Sequence, residues 1–179
     1  CVRHPLDVAV SRFFHERALL LDSPQFSLLP DDNALRSHVI SFDKNSAKKG
    51  DMFSSAELFD QILDMGMEGS VAFEMAAEYD NIHIVCYEDL LSDFCHTVDL
   101  LFGFCGLEVD IKLLSMIEEK NCFQRFSGGR MAGTENERVF FRKGISGDHL
   151  NYMTQDQIDY AARRILLQCG WYRRYFTLN

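Results

Sequence analysis

A chain of 179 residues is long enough for one domain of ordinary size, and 47% hydrophobic with 25% charged residues is the composition of a globular fold. A formal net charge of -9 speaks against a general nucleic-acid or anionic-membrane binder, because phosphate backbones call for a basic surface; a local group of cations can still hold one small anion. No apolar run approaches the ~20 residues that cross a bilayer, and no secretory leader is visible at the start.

Cys1-Val2-Arg3 reads as the tail of a β-strand whose beginning lies upstream. Pro5 suits the first turn of a helix, where its missing N–H costs nothing, and Asp7 in the same turn complements the dipole. That helix spans 3–21 through Val8, Val10, Phe13 and Phe14. Residues 22–52 hold two prolines, Asp31-Asp32-Asn33 and Lys48-Lys49-Gly50, and read as an irregular excursion with a short helical turn at 34–40. Ser54-Ser55-Ala56-Glu57 has the spacing of a capping box, so a helix begins there and carries Leu58, Phe59, Ile62 and Leu63 until Gly66 and Gly69 interrupt it. A further helix is expected over 70–79.

The β-rich run Ile82-His83-Ile84-Val85-Cys86-Tyr87 predicts a buried parallel strand, 82–87. One helix should follow over 90–104 and stop at Gly106, and Asp110 should cap another over 111–119. Residues 121–147, with Gly128-Gly129, Gly133, Gly144 and Gly147, predict loops. Thr154 with Gln157 makes a second capping box, opening a last helix that ends before Gly170. The order of elements is that of an α/β chain with too few strands for a complete sheet. Six cysteines show no CxxC pair, which leaves zinc and thioredoxin-like readings without support; an even count allows disulfides, but several sit in apolar runs, which fits scattered reduced thiols in an intracellular protein better.

Three stretches carry chemistry. In Arg3-His4-Pro5-Leu6-Asp7-Val8-Ala9-Val10-Ser11 an arginine leaves a strand where a helix starts, and anions bind at such junctions because unpaired N–H groups and the dipole point there. In Phe141-Arg142-Lys143-Gly144-Ile145-Ser146-Gly147-Asp148 two adjacent cations stand beside glycines that let backbone N–H groups approach an oxygen. In Tyr87-Glu88-Asp89 a tyrosine stands at a strand's carboxyl end, the usual ligand crevice of an open sheet. Alone, the first reads as a strand-to-helix turn with a solvated arginine, the second as a solvated basic turn, and Tyr87 can be the mere cap of a core strand.

Together and in this order they resemble the sulfotransferase domain that uses PAPS (3'-phosphoadenosine 5'-phosphosulfate), the cytosolic-type family, over nearly the whole chain. The resemblance is strongest at 1–15, 82–95 and 139–154. It implies a P-loop-NTPase-like sulfotransferase fold, an incomplete parallel sheet flanked by helices, in a single domain over 1–179. It implies that Arg3 and Ser11 bind the 3'-phosphate of the nucleotide and that Arg142, Lys143 and Gly144 close around the same group. Tyr87 would lie near the adenine. Asn121-Cys122-Phe123 occupies the place of the family's adenine-stacking stretch, so Phe123 is the stacking candidate, with Phe126 beside it.

The same resemblance puts the phosphosulfate loop with its lysine, and the general base, upstream of residue 1. No catalytic residue is therefore assigned in this chain, which is expected to be inactive alone. None of its six histidines stands at the base position, and His149 replaces the tryptophan the family has after Gly-Asp. PAPS is the expected co-substrate, with PAP as its product, and no metal is expected. The acceptor is a small molecule or glycan bearing a hydroxyl or amine, with residues 22–80 on its side. The expected compartment is the cytoplasm. The family's dimer motif is replaced by Leu150, Thr154-Gln155 and Asp159, so no oligomeric state is assigned. Two rivals stand beside this: a non-catalytic module binding PAP, another adenine nucleotide or a protein, and a relative of the P-loop kinases.

Overall fold

A computed structural model describes residues 2–137, 139 and 141–176; the expectation placed on Cys1 lies outside them. The chain divides into two units, one of Pro5–Glu74 with Gly147–Asn179 and one of Cys1–His4 with Met75–Ser146.

In the first unit, Pro5 opens α1 (Pro5–Asp22). Leu6, Ala9, Val10, Phe13, Phe14 and Leu20 recur at helical spacing and are all buried, which makes α1 the element the unit is built around. Around it stand α2 (Asn33–Ser41), α3 (Ala56–Gly66), the start of α4 (Ser70–Ala76) and a late helix over Gln155–Gln168. The core is aromatic: Phe13 meets Phe42 and Phe53 edge-on at 5.2 and 5.7 Å between ring centroids, and Phe53 stacks on Phe59 at 4.6 Å. Where the sequence predicts an irregular 22–52, the structure orders much of it. Asp32 accepts hydrogen bonds from the N–H groups of Ala34 and Leu35 and so starts α2. Glu16, fully buried on α1, accepts from the Ser27 hydroxyl at 2.8 Å and the Leu28 N–H at 3.0 Å, and so fastens that segment to the helix. The first predicted capping box is displaced by one residue: Ser55, not Ser54, accepts from the Leu58 N–H. The second forms as read, with Thr154 and Gln157 exchanging both bonds, and Gln157 also donates to the carbonyls of Gly50 and Phe53.

The second unit holds α5 (Tyr87–Ser92), α6 (Phe94–Phe104), α7 (Ile111–Asn121) and the single turn α8 (Phe123–Phe126); the late helix Gln155–Gln168 of the first unit is α9. Two sequence expectations change here. The single helix over 90–104 is two, because Asp93 takes a non-helical conformation and caps α6 through the His96 N–H. Of the strand expected over 82–87, residues 82–85 take no regular structure, Tyr87 opens α5, and Cys86 makes one parallel bridge to Val2, through Val2 N–H to the Val85 carbonyl at 2.8 Å and Tyr87 N–H to the Val2 carbonyl at 2.7 Å. A strand is a ladder, and Val2 offers partners for one rung; Ile82 and His83 are exposed, with the Phe104 ring 5.1 Å from that of His83. Among the described residues there is accordingly no sheet beyond this bridge. The helices of this unit also leave large apolar side chains in solvent, Leu100, Phe104, Ile111 and Met116 among them. Cys95, Cys105 and Cys122 are free thiols, and Cys86 and Cys169 are buried.

Candidate functional site

The short parallel bridge decides where Arg3 goes. Its two hydrogen bonds fix Val2 beside Cys86, so residue 3 emerges next to Tyr87, the first residue of α5. The Arg3 guanidinium lies over the Tyr87 ring, 4.8 Å from its centroid. Its Nη2 donates to the Ile145 carbonyl at 2.9 Å, a contact across 142 residues of chain. Its Nε is buried and has no hydrogen-bond partner among the described residues. A buried donor without a partner is costly, roughly 1–3 kcal/mol, and an anionic oxygen is the partner it suits best. Glu88, in the first turn of α5, accepts from the His4 N–H at 2.8 Å and holds the strand end in place.

The loop that meets Arg3 is the glycine-rich basic one. Gly144 has φ +67°, a left-handed conformation that a side chain would resist, and a Cβ built there would stand 2.5 Å from Phe123 Cγ. Phe123 therefore fills the space that the missing side chain leaves, which brings a predicted aromatic residue against a predicted phosphate-loop glycine. Arg142 is buried, and its Nη1 pairs with the Glu135 carboxylate. Lys143 is half-buried, and its carbonyl accepts from the Gly133 N–H at 2.8 Å. Phe126 is exposed and stacks on Phe141 at 5.4 Å. Arg3, Tyr87, Phe123, Arg142, Lys143 and Gly144 thus belong to one unit. Ser11 lies on α1 of the other, half-buried.

Three contributors escaped the sequence reading. Arg130 fastens the loop through its guanidinium, and its only sequence sign was a cation after Ser127-Gly128-Gly129. Glu135 is the acid that Arg142 meets, hidden in a run of charged residues. Asp7, read as a dipole complement, is a fully buried acceptor: Oδ2 takes the Gly147 N–H at 2.7 Å, and Oδ1 takes the His149 N–H at 2.9 Å and faces His149 Nδ1 at 2.7 Å. Burial pushes its carboxyl up, but the bonds from the His149 side chain and backbone and from Gly147 outweigh that and hold it at about 2. His149, in the place of the family's tryptophan, is thereby tied to the first turn of α1. A cavity elsewhere in that unit, of about 290 Å³ and lined by Phe53, Phe59, Gln157 and Tyr160, includes none of the predicted site residues.

Residues 1–167 match the family model of the sulfotransferase domain. Sulfotransferase 2A1 of Macaca fascicularis is 29% identical over 90 residues, 46% of this chain and 32% of that protein. The crystal structure of mouse sulfotransferase SULT7A1 complexed with PAP is similar with a TM-score of 0.59 at 21% identity, over 96% of this chain and 59% of that one. At that identity the likeness is one of fold. The match spans about a third of the curated relative's length.

Proposed function

The chain belongs to the sulfotransferase domain family, and from that premise we propose that it carries the part of a PAPS-dependent site that holds the 3'-phosphate and adenine of the donor. The observation that carries this reading is the Arg3 guanidinium joined to the backbone of the Arg142-Lys143-Gly144 loop at Ile145, with a buried Nε still unpartnered among the described residues. Two stretches chosen from the sequence for the same anion meet in one unit. The residues fit the ligand: Arg3 offers that unsatisfied donor, Lys143 an ammonium, and Gly144 a backbone with no Cβ in the way. Arg142 joins them by exchanging Glu135 for a phosphate oxygen. Tyr87, Phe123 and Phe126 are the aromatic faces for the base. Ser11, in the other unit, keeps the hydroxyl role on resemblance alone and has its own test in Ser11→Ala. The Val2–Cys86 bridge and the exposed apolar side chains of α6 and α7 support a parallel sheet of the P-loop-NTPase-like kind.

Bound PAPS supplies a sulfuryl group activated by its phosphate leaving group. In the transfer, the sulfur bond to the bridging oxygen breaks and one to the acceptor's hydroxyl or amine forms, while the acceptor proton passes to a base. Neither that base nor a lysine on the bridging oxygen is assigned to a residue of this chain. What its residues do is bind and orient, holding the nucleotide where donor and acceptor line up. The acceptor is a small molecule or glycan, and the cytoplasm is the compartment this reading implies. PAP titration by calorimetry tests the proposal. One charge-assisted contact is worth roughly 1.5–3 kcal/mol, so Arg3→Ala should weaken PAP binding about ten- to a hundredfold while leaving AMP, which lacks the 3'-phosphate, nearly unaffected. Equal PAP affinity in wild type and variant would remove the assignment. Labelled PAPS with a panel of acceptors separates an enzyme from a non-catalytic nucleotide-binding module.

A further inference from the structure

We infer that Arg130 is a positioning residue for the proposed 3'-phosphate loop: its guanidinium sets the shape of residues 141–145 by gathering four backbone carbonyls, without itself touching the nucleotide. The inference rests on the reading of that loop given above. Arg130 Nε donates to the Ser127 carbonyl at 3.2 Å, Nη1 to the carbonyls of Thr134 and Arg142 at 2.9 Å each, and Nη2 to the Phe141 carbonyl. Two of those four carbonyls come from the basic loop and two from the glycine-rich stretch before it, so one side chain joins the two. The Asn136 N–H reaches the Arg142 carbonyl at 2.9 Å and the Gly133 N–H reaches the Lys143 carbonyl at 2.8 Å, which continues the same seam in backbone bonds. The guanidinium carbon also lies 5.4 Å from the centroid of Phe123, the ring that fills the space beside Gly144. Arg130 therefore touches both the walls and the floor of the loop.

The geometry requires the fork of an arginine. Five N–H donors in a fixed plane can serve four carbonyls at once, whereas an ammonium has three donors around a point. No ion pair of Arg130 occurs among the described residues, so no carboxylate among them cancels its charge. That charge sits behind the peptide groups of Phe141 and Arg142 and draws on their carbonyl ends. A carbonyl held by a cation leaves its own N–H side better disposed toward an anion, as in other cradles built from backbone amides. Arg142 and Lys143 then present their side chains from a backbone that is already shaped.

The test compares PAP with AMP on the 179-residue chain, by calorimetry, for wild type, Arg130→Ala and Arg130→Lys. The expected result is that wild type prefers PAP, that Arg130→Ala loses at least tenfold of that preference, and that AMP affinity stays within about twofold. Arg130→Lys keeps the charge but not the fork and should lose nearly as much as alanine. Hydrogen exchange of the Gly133 and Asn136 amides should speed up in both variants, and this readout still decides if alanine folds poorly, because it can be taken on the lysine variant. A lysine variant with the full PAP preference and wild-type exchange would overturn the inference while leaving the site's function standing. A wild-type chain that binds PAP no better than AMP would overturn both.

Discussion

Replacing Asp7 by asparagine removes a charge from a fully buried position, and its effect can be worked out in advance. A carboxyl held at about 2 instead of its ordinary 3.8 contributes roughly 2.4 kcal/mol to folding, at ~1.36 kcal/mol for each tenfold in proton affinity. Because the folded value is the lower one, this stability is complete above about pH 5 and is lost as pH falls toward 2. The asparagine side chain would also turn an amide NH₂ toward either the Gly147 N–H or His149, and an unpaired buried donor costs a similar amount, roughly 1–3 kcal/mol. Urea denaturation at a series of pH values reads both effects. Asp7→Asn should lower stability by roughly 3–5 kcal/mol at pH 6, a drop in melting temperature of roughly 6–20 °C for a chain this long. The gap to wild type should shrink by roughly 1 kcal/mol between pH 6 and pH 3, since protonation begins to remove from the wild type what the variant already lacks. A gap that stays constant across that range would show that Asp7 carries no charge-dependent stability, and the account of the Asp7–His149–Gly147 network would fail.

Two further outcomes follow from the loop. Gly144→Ala places a side chain at φ +67° and against the Phe123 ring, a strain of roughly 1–2 kcal/mol or more; PAP affinity should fall about five- to thirtyfold with a change in melting temperature of only a few degrees, as calorimetry and a thermal scan would report. Glu135→Gln takes away the carboxylate that Arg142 now holds, so the same calorimetry should show PAP binding several-fold tighter than in wild type; weaker binding would mean that Glu135 supports the site and does not compete for it.

The helices of this chain were mostly legible before any coordinates. Thr154 and Gln157, Asp110, Pro5 and the glycines at 66 and 170 mark helix ends by local chemistry, and local chemistry is what a single sequence contains. The residues of the site were legible as types, two cations beside a glycine and an arginine at a strand end, and the family pattern tied them together. What they touch was not. The Arg3 bond to Ile145 spans 142 residues, the burial of Asp7 depends on a loop equally distant, and the partners of Arg130 are carbonyls, which every residue has and no sequence can single out. The strand expected over 82–87 shows the opposite limit: its β-branched residues favour an extended backbone, but a ladder needs several consecutive residues of a neighbouring strand, and among the described residues Val2 supplies one rung. Residue identity and spacing thus set the local elements and the available chemistry, whereas the choice of Glu135 for Arg142, of Phe123 for Gly144 and of four carbonyls for Arg130 belonged to tertiary packing, because only the folded chain decides which distant groups lose their water together.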